Sequence, residues 1–297
     1  MHIKGEKIAI CFVSNQSYLQ HFYAALYSFL KTNPGDHFIF LFNEDVDADK
    51  TEEITRFIKD ISPESTFKDV KIDTTKVDHF TGYWEKLGKQ TFYRLLIPNL
   101  LQETFKYVLY VDSDIIFRRP IEFEEFSKEN VICAVKDTIS DILAPERGLE
   151  KYFNAGVILI DVQAWQANSS LEKLLNAKPK RKTFADQELL NDVFENRWTE
   201  LPIELNYPAH RLRFKGFQYI GRDKVNPHIV HYLGGIKPWI FWLRGSLLYW
   251  SAVWFTPYRW QVLTIPKTIL NSLLHKPKKL LKRIQKRLNL KKASFTF

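Results

Sequence analysis

Apolar and polar positions alternate in blocks along the chain as far as about residue 240. KIAICFV (7–13) is a continuous apolar run of strand type. Residues 16–30 then carry Tyr18, Leu19, Phe22, Ala25, Leu26 and Phe29 on one helical face, ending before Asn33-Pro34-Gly35. FIFLF (38–42) predicts a second strand, TEEITRFIKDI (51–61) a second helix with Thr51 as N-cap, and FKDVKID (67–73) a third strand. Residues 91–104 return to helical spacing, with Pro98 placed to kink or divide the element. VLYVDSDIIF (108–117) reads as one buried strand interrupted by Asp-Ser-Asp. KYFNAGVILIDVQAW (151–165) reads as a strand passing into a helix. FADQELLNDVF (184–194) reads as a helix with Asp186 at its N-cap, and PHIVHYLGGIKPW (227–239) as a short strand ending at His231 before a Gly234-Gly235 turn. This alternation predicts an α/β fold, a mostly parallel sheet flanked by helices.

In such a sheet ligands bind beyond the carboxyl ends of the strands, where Asp112 and Asp114 fall. Side chains two apart on an extended strand share a face, so both carboxylates can converge on one hard cation while Ser113 points away. A turn cap is the plain alternative. Asn154 before the small Ala155-Gly156 pair suits a sugar hydroxyl near backbone, or simply a turn. Amides of the Gly234-Gly235 turn together with Lys237 form a phosphate cradle. His231 is either a metal ligand or a buried structural histidine.

Composition narrows the class. At 297 residues, 45% hydrophobic and 26% charged, the chain forms a sizeable core in one large domain, alone or with an appendage. Cys11 and Cys133 each lie in an apolar run without metal or redox spacing and read as buried thiols. No secretory leader pattern precedes the first strand, which predicts a cytoplasmic protein. The net charge of +9 is unevenly spread: residues 224–297 hold 14 Lys and Arg and no acid, leaving −5 for residues 1–223. A basic end on an acidic body predicts binding to an anionic surface.

Taken in order, five stretches resemble the retaining glycosyltransferases of family eight, especially bacterial lipopolysaccharide galactosyl- and glucosyltransferases with a GT-A fold. They are Thr91-Phe92-Tyr93-Arg94-Leu95, Asp112-Ser113-Asp114, Asn154-Ala155-Gly156-Val157, Asp186-Gln187, and His231 through Trp239. The resemblance covers residues 7–240, giving a catalytic domain over 1–240 and a C-terminal region over 241–297. It implies that Asp112, Asp114 and His231 hold Mn²⁺ or Mg²⁺ on the diphosphate of UDP-galactose or UDP-glucose, with Gly234 and Lys237 on the phosphates. Arg94, Asn154, Ala155 and Asp186 would take the donor sugar, Gln187 would face its anomeric carbon, and Asp137 would add a donor or acceptor contact. Val13, Asn15, Tyr18 and Ser113 fall on the nucleotide side, where Phe12 through Tyr18 lacks the acid-amide pair common in the family. The acceptor would be a cell-surface glycan or glycolipid.

The C-terminal region starts with IFWLRGSLLYWSAVWFTPYRW (240–260), too short between Arg244 and Arg259 to span a membrane. Its rings either seek the membrane interface or cover the catalytic core. KPKKLLKRIQKRLNLKK (276–292) predicts a basic amphipathic helix suited to an anionic inner leaflet, and no nucleic-acid partner is expected. Two alternatives accompany this reading. One is a phosphatase of the haloacid dehalogenase type, whose Asp-x-Asp normally opens the domain. The other is a non-catalytic membrane or nucleic-acid binding protein.

Overall fold

The computed structural model describes residues 2–3, 5–83, 88–123, 130–177, 185–215, 218–222, 224–235 and 237–274. In chain order its strands are β1 (His2–Ile3), β2 (Glu6–Val13), β3 (Phe38–Asn43), β4 (Thr66–Lys71), β5 (Tyr107–Val111), β6 (Ile115–Phe117), β7 (Ile132–Lys136), β8 (Phe153–Asp161), β9 (Thr199–Leu201), β10 (Tyr207–Pro208), β11 (Leu212–Lys215), β12 (Gln218–Gly221) and β13 (Ile229–His231). The helices are α1 (Leu19–Thr32), α2 (Ala48–Ile61), α3 (Ile97–Leu101), α4 (Ser140–Arg147), α5 (Val162–Ala167), α6 (Ser170–Asn176), α7 (Ala185–Phe194) and α8 (Ser246–Trp254).

The central sheet runs β4-β3-β2-β5-β8-β7-β9, with β1 also paired to β2. β2 through β5 are mutually parallel, whereas β8 is antiparallel to both β5 and β7. Both faces are covered, which is why the strands read as continuous apolar runs. Along β2, Ile8, Ile10 and Phe12 pack with α1 and α2, while Ala9 and Cys11 pack against Phe92, Leu95 and α7. Cys11 and Cys133 are fully buried thiols outside any disulfide, as expected, and they lie on opposite faces of the sheet.

The run VLYVDSDIIF is two strands, not one. β5 belongs to the central sheet and β6 to a small sheet ordered β10-β13-β6, so Asp112-Ser113-Asp114 is the turn by which the chain changes sheets. The pleat therefore does not bring the carboxylates together; the turn does. Its two sides are fixed by backbone bonds, Asp112 N–H to the Gly156 carbonyl at 2.8 Å and Tyr232 N–H to the Asp114 carbonyl at 3.0 Å. Because His231 pairs with Ile115, the end of β13 lies beside the acidic turn.

Helix boundaries differ from the periodicity in three places. α2 begins at Ala48 because Asp47 accepts the Lys50 N–H, leaving Thr51 inside the helix. Residues Lys89–Leu95 coil as a 3₁₀ helix, and α3 starts afresh with Pro98 in its first turn, where the missing N–H is tolerated. Asp186 is the second residue of α7 rather than its cap.

The aromatic stretch divides between the two roles considered for it. Tyr249 and Trp250 join a third core with Ala24 of α1, Ile116 of β6 and Val230 of β13. Trp254, Phe255 and Trp260 stay 53%, 59% and 67% exposed. The basic segment 276–292 lies outside the described residues, among which no helix is long and apolar enough to cross a membrane.

Candidate active site

Asp112, Asp114 and His231 converge, with one ligand atom of each lying within 4.8 Å of the others. Asp112 uses its two oxygens differently. Oδ1 accepts from the Tyr110 hydroxyl at 2.6 Å and faces Arg94 at 3.1 Å, whereas Oδ2 faces His231 Nε2 at 3.6 Å. Asp114 Oδ1 lies 3.1 Å from the same Nε2, and Lys237 Nζ is bonded to Oδ2. Burial alone would raise the Asp114 carboxyl, but the Lys237 ammonium outweighs it and holds the group well below the usual carboxylate range.

On its other side the His231 ring meets Asn206 Oδ1 at 2.8 Å from Nδ1. An amide oxygen only accepts, so Nδ1 carries hydrogen, and the Nδ1–H form of the neutral ring would turn its Nε2 lone pair toward the two carboxylates. In that form acceptors face acceptors in a buried site, an arrangement that a cation between them would satisfy. Asp114 Oδ1 is moreover a buried oxygen without a hydrogen-bond partner. The three side chains therefore fit a divalent cation.

Arg94 is the hub of the neighbouring subsite. Its guanidinium forms an ion pair with Asp186 Oδ2 at 2.8 Å, donates to the Ala155 carbonyl at 2.6 Å, and lies 4.4 Å over the Tyr110 ring. Burial opposes its charge, yet Asp112 and Asp186 hold the guanidinium firmly protonated. Asp186 is only 5% exposed. Burial pushes its carboxyl up to about 6, with Arg94 opposing and Asp112 adding to the rise.

Gln187 is held between Ala155 N–H, which donates to Oε1 at 2.9 Å, and Asp137 Oδ2, which accepts from Nε2 at 3.4 Å. The same Asp137 oxygen accepts from Asn154 Nδ2 at 3.1 Å. Asn154 Oδ1 takes the Gly156 N–H and the Asn206 amide, which leaves one amide hydrogen of Asn154 for a ligand.

On the nucleotide side, the buried Ser113 donates to the Val13 carbonyl at 3.1 Å. Asn15 Oδ1 is engaged by Tyr18 N–H and Ser17 Oγ, so its free amide hydrogens are what it offers a base. Tyr18 stands edge-on to His21 and Trp239, whose rings stack 3.5 Å apart. Burial, then Asp114 and Asp112, raise the Tyr18 phenol, which stays neutral. Gly234 sits at φ +70°, a left-handed turn beside Lys237 that glycine adopts without strain.

The family model for glycosyl transferase family 8 matches residues 9–243, most of the chain and every site residue above. The chain belongs to glycosyl transferase family 8. Among curated members, General stress protein A of Bacillus subtilis (strain 168) is 27% identical over 195 residues, 57% of this chain and 65% of that one. Lipopolysaccharide 1,2-glucosyltransferase of Escherichia coli (strain K12) is 28% identical over 190 residues, 58% of this chain and 55% of its own. The chain thus spans less than two thirds of either relative. The galactosyltransferase LgtC, solved with donor and acceptor sugar analogues, superposes with a TM-score of 0.65 over 84% of this chain and 96% of that one, at 18% identity. The fold is accordingly GT-A. Membership in a glycosyltransferase family does not favour the phosphatase or the non-catalytic binder, and four parallel strands, β2 to β5, precede the acidic motif in chain order.

The structure joins Arg94, Asp112, Asp114, Asp137, Asn154, Ala155, Asp186, Gln187, His231 and Lys237 in one contact network, whereas Asn15 and Gly234 have no direct contact with it among the described residues. It adds two the sequence did not single out, Tyr110 and Asn206. Tyr110 alternates normally within an apolar strand, and Asn206 has no sequence spacing to His231, so no local signal marked either one.

Proposed function

We propose that the chain is a cation-dependent retaining hexosyltransferase that moves galactose or glucose from a UDP-sugar to a cell-surface glycan such as lipooligosaccharide or lipopolysaccharide. The observation carrying this reading is the convergence of Asp112, Asp114 and His231 around an Asp114 oxygen with no hydrogen-bond partner. Two carboxylate oxygens suit Mg²⁺ or Mn²⁺ while an imidazole nitrogen suits a transition metal, so Mn²⁺ meets both demands. When bound, such an ion supplies Lewis-acid stabilisation of the charge that develops on the departing diphosphate.

The chain's own residues do the rest. Lys237 leaves Asp114 for the phosphates, joined by backbone amides around Gly234, and Ser113 and Val13 hold the acidic turn against the nucleotide loop of Asn15 and Tyr18. Arg94, Asp186, Ala155 and the remaining amide hydrogen of Asn154 orient the hexose. Gln187, immobilised by Ala155 and Asp137, faces the anomeric carbon. A carboxamide is a poor nucleophile, which favours front-face transfer. The bond from C1 to the UDP oxygen breaks, the acceptor oxygen bonds C1 on the same face, and its proton passes to the leaving phosphate. Gln187→Ala should therefore lower turnover without abolishing it; complete loss, or a trapped glycosyl adduct on the protein, contradicts this route.

The direct test is UDP release from UDP-galactose and UDP-glucose by the purified protein. Release that needs Mn²⁺ supports the reading, and equal release in chelator contradicts it.

We further assign residues 1–240 to catalysis and 241–297 to peripheral attachment on the cytoplasmic face of an anionic membrane. Supporting this are exposed Trp254, Phe255, Trp260, Leu263, Leu273 and Leu274, together with the basic sequence that follows. Flotation with phosphatidylglycerol vesicles but not with phosphatidylcholine vesicles is the expected result, and equal behaviour toward both contradicts it.

A further inference from the structure

We infer that Asn206 is a positioning residue that fixes the tautomer of His231, as the last link of a one-way hydrogen-bond relay running from Asp137. The inference rests on the cation site proposed above.

The direction of the relay follows from groups whose roles are not interchangeable. A backbone N–H only donates, and that of Gly156 reaches Asn154 Oδ1 at 3.0 Å. A carboxylate oxygen accepts, and Asp137 Oδ2 lies 3.1 Å from Asn154 Nδ2. These two partners set the Asn154 amide, which is otherwise a matter of assignment. Asn154 thus presents oxygen to Asn206, so Asn206 must present its NH₂ across the 2.8 Å contact between them. Its own oxygen is then left facing His231 Nδ1 at 2.8 Å, which places the ring proton on Nδ1. Turning Asn206 over would set oxygen against oxygen at one end and NH₂ against the ring at the other.

Asn206 and His231 are 4% and 3% exposed, so water does not relieve a mismatch between them. The backbone holds the geometry: Asn206 ends a 3₁₀ turn and leads into β10, whose Pro208 pairs with His231 in parallel register. The far end of the relay is shared with the reaction centre, since Asp137 Oδ2 also takes the Gln187 amide. A histidine that donates its second nitrogen in this way is oriented and made a better ligand.

The test uses the full chain without donor. ¹⁵N-histidine NMR, with His231→Gln to assign the signal, should show His231 as the Nδ1–H tautomer. Mn²⁺ titration should show Asn206→Ala binding about 10- to 100-fold more weakly, the range for loss of such partners. An Nε2–H tautomer in the parent overturns the inference. So does a folded Asn206→Ala that binds Mn²⁺ as the parent does. If Asn206→Ala does not fold, the tautomer of the parent decides. Asp114→Asn separates the two levels: if it too binds normally, the cation site itself is wrong, whereas loss there with normal binding by Asn206→Ala refutes the relay alone.

Discussion

Gly156 lies against the imidazole of His231. A Cβ placed on this glycine would fall 2.1 Å from His231 Cε1, 2.7 Å from Nδ1 and 2.9 Å from Asp112 Oδ2. The glycine of the Asn-Ala-Gly strand therefore makes room for two of the proposed cation ligands, where the sequence suggested room for a ligand near backbone. Gly156→Ala should push the ring and carboxylate apart and weaken Mn²⁺ binding by at least about tenfold, with circular dichroism unchanged. Binding equal to the parent's would show that the ring has space the geometry denies it.

Tyr110 donates to Asp112 Oδ1 from a position only 3% exposed. A hydrogen bond to a charged group contributes about 1.5–3 kcal/mol, so Tyr110→Phe should lower the urea-unfolding free energy by roughly that amount. No loss of stability would mean that Arg94 alone satisfies this oxygen.

Lys237 bonds Asp114 directly, so in the free protein it competes with a cation for that carboxylate. Lys237→Met should tighten Mn²⁺ binding while reducing donor turnover about 10²- to 10³-fold, the cost of removing one group that stabilises developing negative charge. A parallel fall in both quantities would contradict the assignment of the lysine to the leaving phosphate.

His21, stacked on Trp239, supplies a pH signature. Burial lowers its pKa from 6.5 to about 3, with Asp114 opposing and Lys237 assisting. The unfolded chain takes up this proton near pH 6.5 and the folded chain does not until far lower. The stabilisation is thus complete above pH 6.5 and is lost as pH falls toward 3. Between pH 7 and pH 5 the parent should lose about 2 kcal/mol more stability than His21→Phe, from about 1.4 kcal/mol per pH unit for one proton. Identical losses in urea titrations at the two pH values would contradict this.

The alternation of strands and helices was legible because burial on both faces demands continuous apolar runs, and the motif residues were legible because their spacing is local. The change of sheet at Asp112-Ser113-Asp114 was not, since apolar residues on both sides look alike whichever sheet they enter. Nor was the reversed direction of β8, because residue pattern does not encode strand polarity. Pro98 showed a break without revealing that residues 89–95 would be 3₁₀. Asn206 stands 25 positions before His231, and only the parallel pairing of β10 with β13 brings them together.

The central claim is that one dication is held by two residues of the acidic turn and by the end of β13. Anomalous diffraction at the manganese edge, from crystals grown with Mn²⁺ and UDP, tests it most directly. The account predicts a single strong peak bonded to Asp112 Oδ2, Asp114 Oδ1 and His231 Nε2. A fully loaded crystal with its peak elsewhere, and none among these atoms, would contradict it.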